Sequence, residues 1–166
     1  MLMVNQLVGF GCGGLTLGGD ATSGQTFSAS ATSDGAVANL FDNNFTQTGP
    51  NGWGNDTTDT AWVQVQFSAP QAIGRYTLTS VNDADYTRAP ISFTLKASNT
   101  GIFSGEEVTI DTQTSISVWS QAQTRTFDVA NTTAYTYYRL NMTAKTDSFG
   151  RAVEYYLAEI EMMAYS

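Results

Sequence analysis

Ala61-Trp-Val-Gln-Val-Gln-Phe67 decides how this chain folds. Val63, Val65 and Phe67 share one side of an extended backbone, and Gln64 and Gln66 share the other. Successive side chains of a strand point to opposite faces, so the stretch describes a strand with one dry and one wet face. Pro90-Ile-Ser-Phe-Thr-Leu-Lys96 repeats the pattern, with Ile91, Phe93 and Leu95 alternating against Ser92, Thr94 and Lys96. Outward from these, residues 25–31, 73–80, 106–112, 123–129, 135–143 and 153–163 also read as strands. They are rich in Thr, Tyr, Val, Phe and Ile, which fit a pleated surface. Turn residues separate them at Asn51-Gly52, Ser98-Asn-Thr-Gly101, Asn131-Thr-Thr133 and Asp147-Ser-Phe-Gly150. The only helical turn expected before mid-chain is Gly35-Ala-Val-Ala-Asn-Leu-Phe41. About eight antiparallel strands at this spacing predict an all-β sandwich or barrel.

The 166 residues suit one domain. Histidine is absent and Cys12 is the only cysteine. Ser-His-Asp and Cys-His nucleophiles, His/Cys zinc sites and internal disulfides are therefore excluded. Glu106 and Glu107 are adjacent, so on a strand they diverge, and no facing carboxylate pair suits glycoside cleavage. A non-catalytic binding module is the expectation. Seven basic against fifteen acidic residues give a net charge of −8. That balance opposes binding to nucleic acid or to an anionic membrane. No apolar stretch is long enough to insert in a bilayer.

Residues 1–20 read as an extended arm, with the sandwich over 21–166. The glycines of Gly9-Phe-Gly-Cys-Gly-Gly14 oppose a helix. Leu2, Val4, Leu7, Val8 and Phe10 are apolar for a free tail, so the arm is expected to dock on a partner protein or on another copy of the chain. The alternative is a frayed terminus. The segment lacks the basic start of a signal peptide.

The order of motifs carries a resemblance. Ala29-Ser-Ala-Thr-Ser33, Ala38-Asn-Leu-Phe-Asp42 and Trp62-Val-Gln-Val-Gln-Phe67 follow one another. Arg88-Ala-Pro-Ile-Ser-Phe-Thr-Leu-Lys-Ala-Ser-Asn-Thr-Gly101 and Trp119-Ser120 come next. Thr133-Ala-Tyr-Thr-Tyr-Tyr-Arg-Leu-Asn-Met142 and Leu157-Ala-Glu-Ile-Glu161 close the series. Over roughly residues 25–163 the chain resembles the discoidin, or coagulation factor V/VIII type C, domains of the galactose-binding-like superfamily, in the flavour of bacterial carbohydrate-binding modules. The resemblance implies an eight-stranded antiparallel jelly-roll β-sandwich.

It also implies a structural Ca2+. By position Asp42 and Glu159 match carboxylate ligands, and Asn39, Asn44 and Ala158 match carbonyl donors. Thr46 or Thr48 matches a threonine ligand. An oxygen set of this kind suits calcium. The family's usual Asp-Gly-Asp/Asn turn reads Asp42-Asn-Asn44 here. The alternative has Asp42 capping a turn and Glu159 at a solvent edge.

The resemblance further implies a ligand rim formed by loops 43–60, 81–89 and 144–152. Trp53, Asn55 and Asp56 come from the first. Asn82, Asp83, Asp85, Tyr86 and Arg88 come from the second, and Asp147, Phe149 and Arg151 from the third. Sugars offer C–H faces to rings and hydroxyls to planar polar groups. Trp53 is read as a platform or as the cover of the sandwich end. Arg88 is read as a ligand contact or as an ion-pair partner of Asp83 or Asp85. Trp62 and Trp119 read as structural. Together these features predict attachment to a cell-surface or polysaccharide glycan, with the chain a tail or capsid component of a bacterial virus particle docked through residues 1–20. The alternative is a structural decoration or adaptor of such a particle with no sugar ligand.

Overall fold

The computed structural model describes residues 14–56, 60–145 and 154–166. In chain order the strands are β1 Leu17–Asp20, β2 Thr26–Ala29, β3 Asp34–Gly35, β4 Trp53–Asn55, β5 Ala61–Gln71 and β6 Ile73–Thr79. They continue as β7 Pro90–Ser98, β8 Val108–Gln113, β9 Thr124–Asp128, β10 Tyr135–Lys145, β11 Tyr155–Leu157 and β12 Glu159–Tyr165. Two short 3-10 turns, Val37–Phe41 and Ala84–Arg88, are the only helical elements among the described residues. One sheet runs β1-β12-β6-β9, the second β2-β5-β10-β7-β8, and a small third sheet β11-β4-β3.

The alternation read in the sequence sets which faces meet. Val63, Val65 and Phe67 of β5, Phe93 and Leu95 of β7, and Tyr138, Leu140 and Met142 of β10 turn inward. Across the sandwich they meet Tyr76, Leu78, Ile160 and Met162 of the first sheet in one continuous core. Apolar burial on this scale is the principal favourable term in folding. The Tyr138 hydroxyl lies within this core and donates to the Gln71 carbonyl at 2.7 Å, so its polar end is satisfied.

The predicted strands are all present, with three corrections. Leu17–Asp20, assigned above to the arm, is an edge strand antiparallel to β12. Asp20 explains this: its Oδ1 accepts from Thr22 N and Met162 N, both at 3.1 Å, and ties the strand to the sheet. Residues 1–13 of the arm lie outside the described residues. The stretch 153–163 is two strands, because Ala158 N turns aside to bond the Thr79 carbonyl. The small third sheet was not foreseen. It depends on Gly35, whose φ is +64°. A Cβ there would sit 1.7 Å from the Gly52 carbonyl oxygen, so no side chain fits.

Candidate functional site

The third sheet and the turn at 84–88 gather a polar network. Asp56 accepts a hydrogen bond from Ser33 Oγ, which in turn accepts from Asp56 N at 3.1 Å. The neighbouring Asp34 accepts from the Tyr156 hydroxyl. Burial, then the Asp34 carboxylate, pushes the Tyr156 phenol up in pKa. The Arg88 guanidinium lies 5.1 Å from the Tyr156 ring centroid. It pairs with Asp85 at 3.1 Å and with Glu154 at 2.5 Å. Asp83 caps the turn by accepting from Asp85 N at 2.9 Å, and it accepts from Gly49 N at 2.7 Å, which joins the first loop to the second.

The candidate ligand residues divide sharply. Trp53 is fully buried and donates its indole N–H to Thr32 Oγ1 at 3.2 Å, so it is a core residue and not a platform. Asn55 is fully buried and donates to Ser30 Oγ at 3.1 Å, which removes it from the ligand surface. The predicted loop 43–60 conceals β4, whose three residues are all buried. Arg88 is buried and doubly ion-paired, so the ion-pair alternative holds and its carboxylate partners include Glu154. Asp56 and Asn82 are exposed, while Asp85 and Tyr86 are half-buried. Asp147, Phe149 and Arg151 lie outside the described residues.

A second constellation surrounds Glu159. The Asn44 N–H donates to both Asp42 Oδ1 and Glu159 Oε2, each at 3.0 Å. Two carboxylates therefore converge on one donor. Burial first, then the nearby Asp42, pushes the Glu159 carboxyl up to about 8, although the Asn44 bond works against this. Glu159 is fully buried, so it does not lie at a solvent edge. Gln47 completes the cradle and escaped the sequence reading. Its Nε2 donates to the Asn39 carbonyl at 3.0 Å and to both Asp42 oxygens at 2.9 Å.

Two buried oxygens here, Glu159 Oε1 and Gln47 Oε1, have no hydrogen-bond partner. Orphaned oxygens among carboxylates and a carbonyl are the donor set of a hard cation, so these residues fit calcium. Among the described residues no three acidic side chains meet, so carbonyl and amide oxygens would complete the coordination. Asn43, in the middle of the Asp42-Asn-Asn44 turn, has φ +62°, which asparagine tolerates. The threonines are occupied otherwise. Thr46 donates its N and Oγ1 to Asn44 Oδ1, and the Thr48 carbonyl accepts from Asn51 N and Gly52 N.

No family model matches the chain, and no curated protein matches it. Solved structures do. A Bacteroides fragilis F5/8 type C domain superposes with a TM-score of 0.69 at 13% identity, over 90% of this chain and 97% of that one. Chitosan-binding module 1 of a chitosanase/glucanase from Paenibacillus sp. IK-5, in a variant form, gives a TM-score of 0.66 at 19% identity, over 89% and 98%. A Streptococcus pneumoniae fucose binding module gives 0.67 at 15% identity, over 89% and 98%. At these identities the likeness speaks to fold. The chain has the all-β, antiparallel jelly-roll sandwich of the galactose-binding-like domains, the fold of F5/8 type C and carbohydrate-binding modules.

Proposed function

We propose that the protein is a non-catalytic carbohydrate-binding module that attaches to a glycan surface through the rim of its sandwich. The observation that carries this reading is the shared fold, along 89% of the chain, with modules named for binding chitosan and fucose. The rim chemistry agrees. Asn82 and Asp56 are exposed and Asp85 and Tyr86 are half-buried, so amide, carboxylate and ring surfaces are available to sugar hydroxyls and C–H faces. Phe149 and Arg151 complete the proposed set from the third loop.

A structural Ca2+ belongs to the same proposal. Asp42, Glu159 and the Asn39 carbonyl would hold it, with Gln47 Oε1 and the Asn44 and Ala158 carbonyls as further oxygen donors. Bound there, the ion would neutralise two crowded carboxylates and clamp the 42–52 loop to β12. A tail or capsid setting in a bacterial virus is the finest form of the reading. Its support is the apolar, glycine-clustered sequence that precedes β1, which would dock on a virion partner or on another copy of the chain.

A glycan array carrying fucosyl, galactosyl and glucosaminyl ligands tests the rim. Binding that Asn82→Ala, Phe149→Ala and Arg151→Ala weaken about tenfold is the expected result. Absence of retention on every glycan at high density would sink it. A structural decoration or adaptor role without a sugar ligand is the second reading. One observation favours it: burial of Trp53, Asn55 and Arg88 withdraws three candidate contacts from the surface.

A further inference from the structure

The outer face of the five-stranded sheet carries an assembly that the rim does not use. Trp62 lies between buried Ala61 and Val63 on β5, and therefore points outward. Arg139 of β10 also points outward, opposite Gln64 in the ladder. Its guanidinium carbon sits 4.1 Å from the Trp62 ring centroid and 4.0 Å from that of Phe103, so the cation is held between two rings. Its Nε and Nη2 both donate to Gln64 Oε1, at 3.0 and 2.7 Å. Among the described residues no carboxylate forms an ion pair with Arg139. The Nη1 side of the fork thus stays open for a further acceptor.

Phe103 reaches this face because a carboxylate knots its loop. Glu106 accepts from Ser98 Oγ and Thr100 Oγ1, both at 2.6 Å, and from the N–H groups of Phe103 and Ser104 at 3.1 and 2.9 Å. Gly101 presses the loop on Tyr137. Its φ is +75°, and a Cβ there would lie 2.8 Å from the Tyr137 ring. The loop stands beside a polar row of Thr26, Ser28, Gln64 and Gln66, which share the outer face by register. Asn141 stands opposite Trp62 in register, but its side-chain nitrogen is buried, so it backs the face and does not line it.

The chemistry selects the occupant. A nucleic acid needs several free cations, but the other cation here, Lys96, is paired with Glu107 at 2.9 Å. A protein interface of ordinary kind has an apolar centre, whereas this row is hydroxyl and amide. A ring platform beside an open guanidinium edge and side-chain amides matches the C–H face and vicinal hydroxyls of a sugar. The net charge of −8 disfavours an acidic polymer. Four neighbouring strands span roughly 15 Å, enough for several sugar rings.

We propose that this face is a second glycan site, independent of the rim, which takes a neutral polysaccharide chain laid across β2, β5, β10 and β7 against Trp62 and Arg139. Native electrophoresis through gels containing xylan, xyloglucan or galactomannan tests it. At least one polymer should retard the wild-type chain. Trp62→Ala and Arg139→Gln should each weaken that retardation at least tenfold, while Asn82→Ala leaves it unchanged. Conversely, Trp62→Ala should leave rim binding on the glycan array intact, so failure of either site is read separately. An NMR titration of wild-type protein with the retarding polymer avoids any folding defect of the variants, and the Trp62 indole N–H resonance should shift. No retardation by any neutral polymer, retardation by polygalacturonate alone, or an unmoved Trp62 signal would each overturn the proposal.

Discussion

Trp53→Ala separates a core tryptophan from a ligand platform. Trp53 is fully buried within β4, between β3 and β11, and its indole N–H reaches Thr32. Truncation removes the transfer free energy of a whole indole and leaves a cavity that the flanking backbone cannot fill. Gly54 beside it is already in close contact with the Tyr156 ring, 2.5 Å from where a Cβ would stand. Such losses cost about 3–5 kcal/mol. For a domain of this length, a loss of that size corresponds to a fall in Tm of about 6–20 °C. Differential scanning calorimetry measures it, and Trp53→Phe should fall between wild type and Trp53→Ala. Glycan binding by the surviving folded fraction should be unchanged when measured below the lowered Tm. A Tm within about 2 °C of wild type, combined with lost glycan binding, would place the indole at the surface and refute the assignment.

Glu159 links pH to the cation. Its carboxyl is raised from 4.5 to about 8 in the fold, so its contribution to stability is complete below pH 4.5 and is lost as pH rises towards 8. In chelator, urea denaturation should show a loss of up to about 1.4 kcal/mol per pH unit across that window. Glu159→Gln should flatten the slope, and millimolar Ca2+ should restore wild-type stability near neutral pH by binding the native state. A Tm unmoved by chelator and by calcium would remove the ion from the fold. Arg88→Ala strips the guanidinium from Asp85 and Glu154 and should cost about 3–5 kcal/mol in chemical denaturation. Gly35→Ala should cost more than about 3 kcal/mol, because the new Cβ collides with backbone at a left-handed position.

The strands were legible because their signal is local. Val63, Val65 and Phe67 state their common face within seven residues, and the 90–97 stretch does the same. The site was less legible because it is assembled by contacts distant in sequence. Trp53 is flanked by Gly52 and Gly54 and follows a Pro-Asn-Gly turn, so it reads as loop. What makes it a strand residue is pairing with Leu157, about a hundred positions away. Arg88 is close to Asp85 in sequence, but the carboxylate that completes its burial belongs to Glu154. Gln47 carries no signal at all. A glutamine among Asn, Thr and Gly becomes meaningful only when the fold brings the Asn39 carbonyl and the Asp42 carboxylate to it.

Trp62 is the opposite case, because the signal for its face is local. A tryptophan within a strand reads as structural, which by itself leaves its face unassigned. Yet the rule that buries Val63 and Val65 sends their neighbour outward, and the ladder then sets Trp62 opposite Asn141 and one row from Arg139. Phe103 could not be assigned to that face from the sequence, because its position depends on the Glu106 knot and on Gly101 lying against Tyr137. Periodicity thus specifies which side of a sheet a residue occupies. What waits on that side is decided by loops, whose shape is written in carboxylate-to-backbone bonds and left-handed glycines.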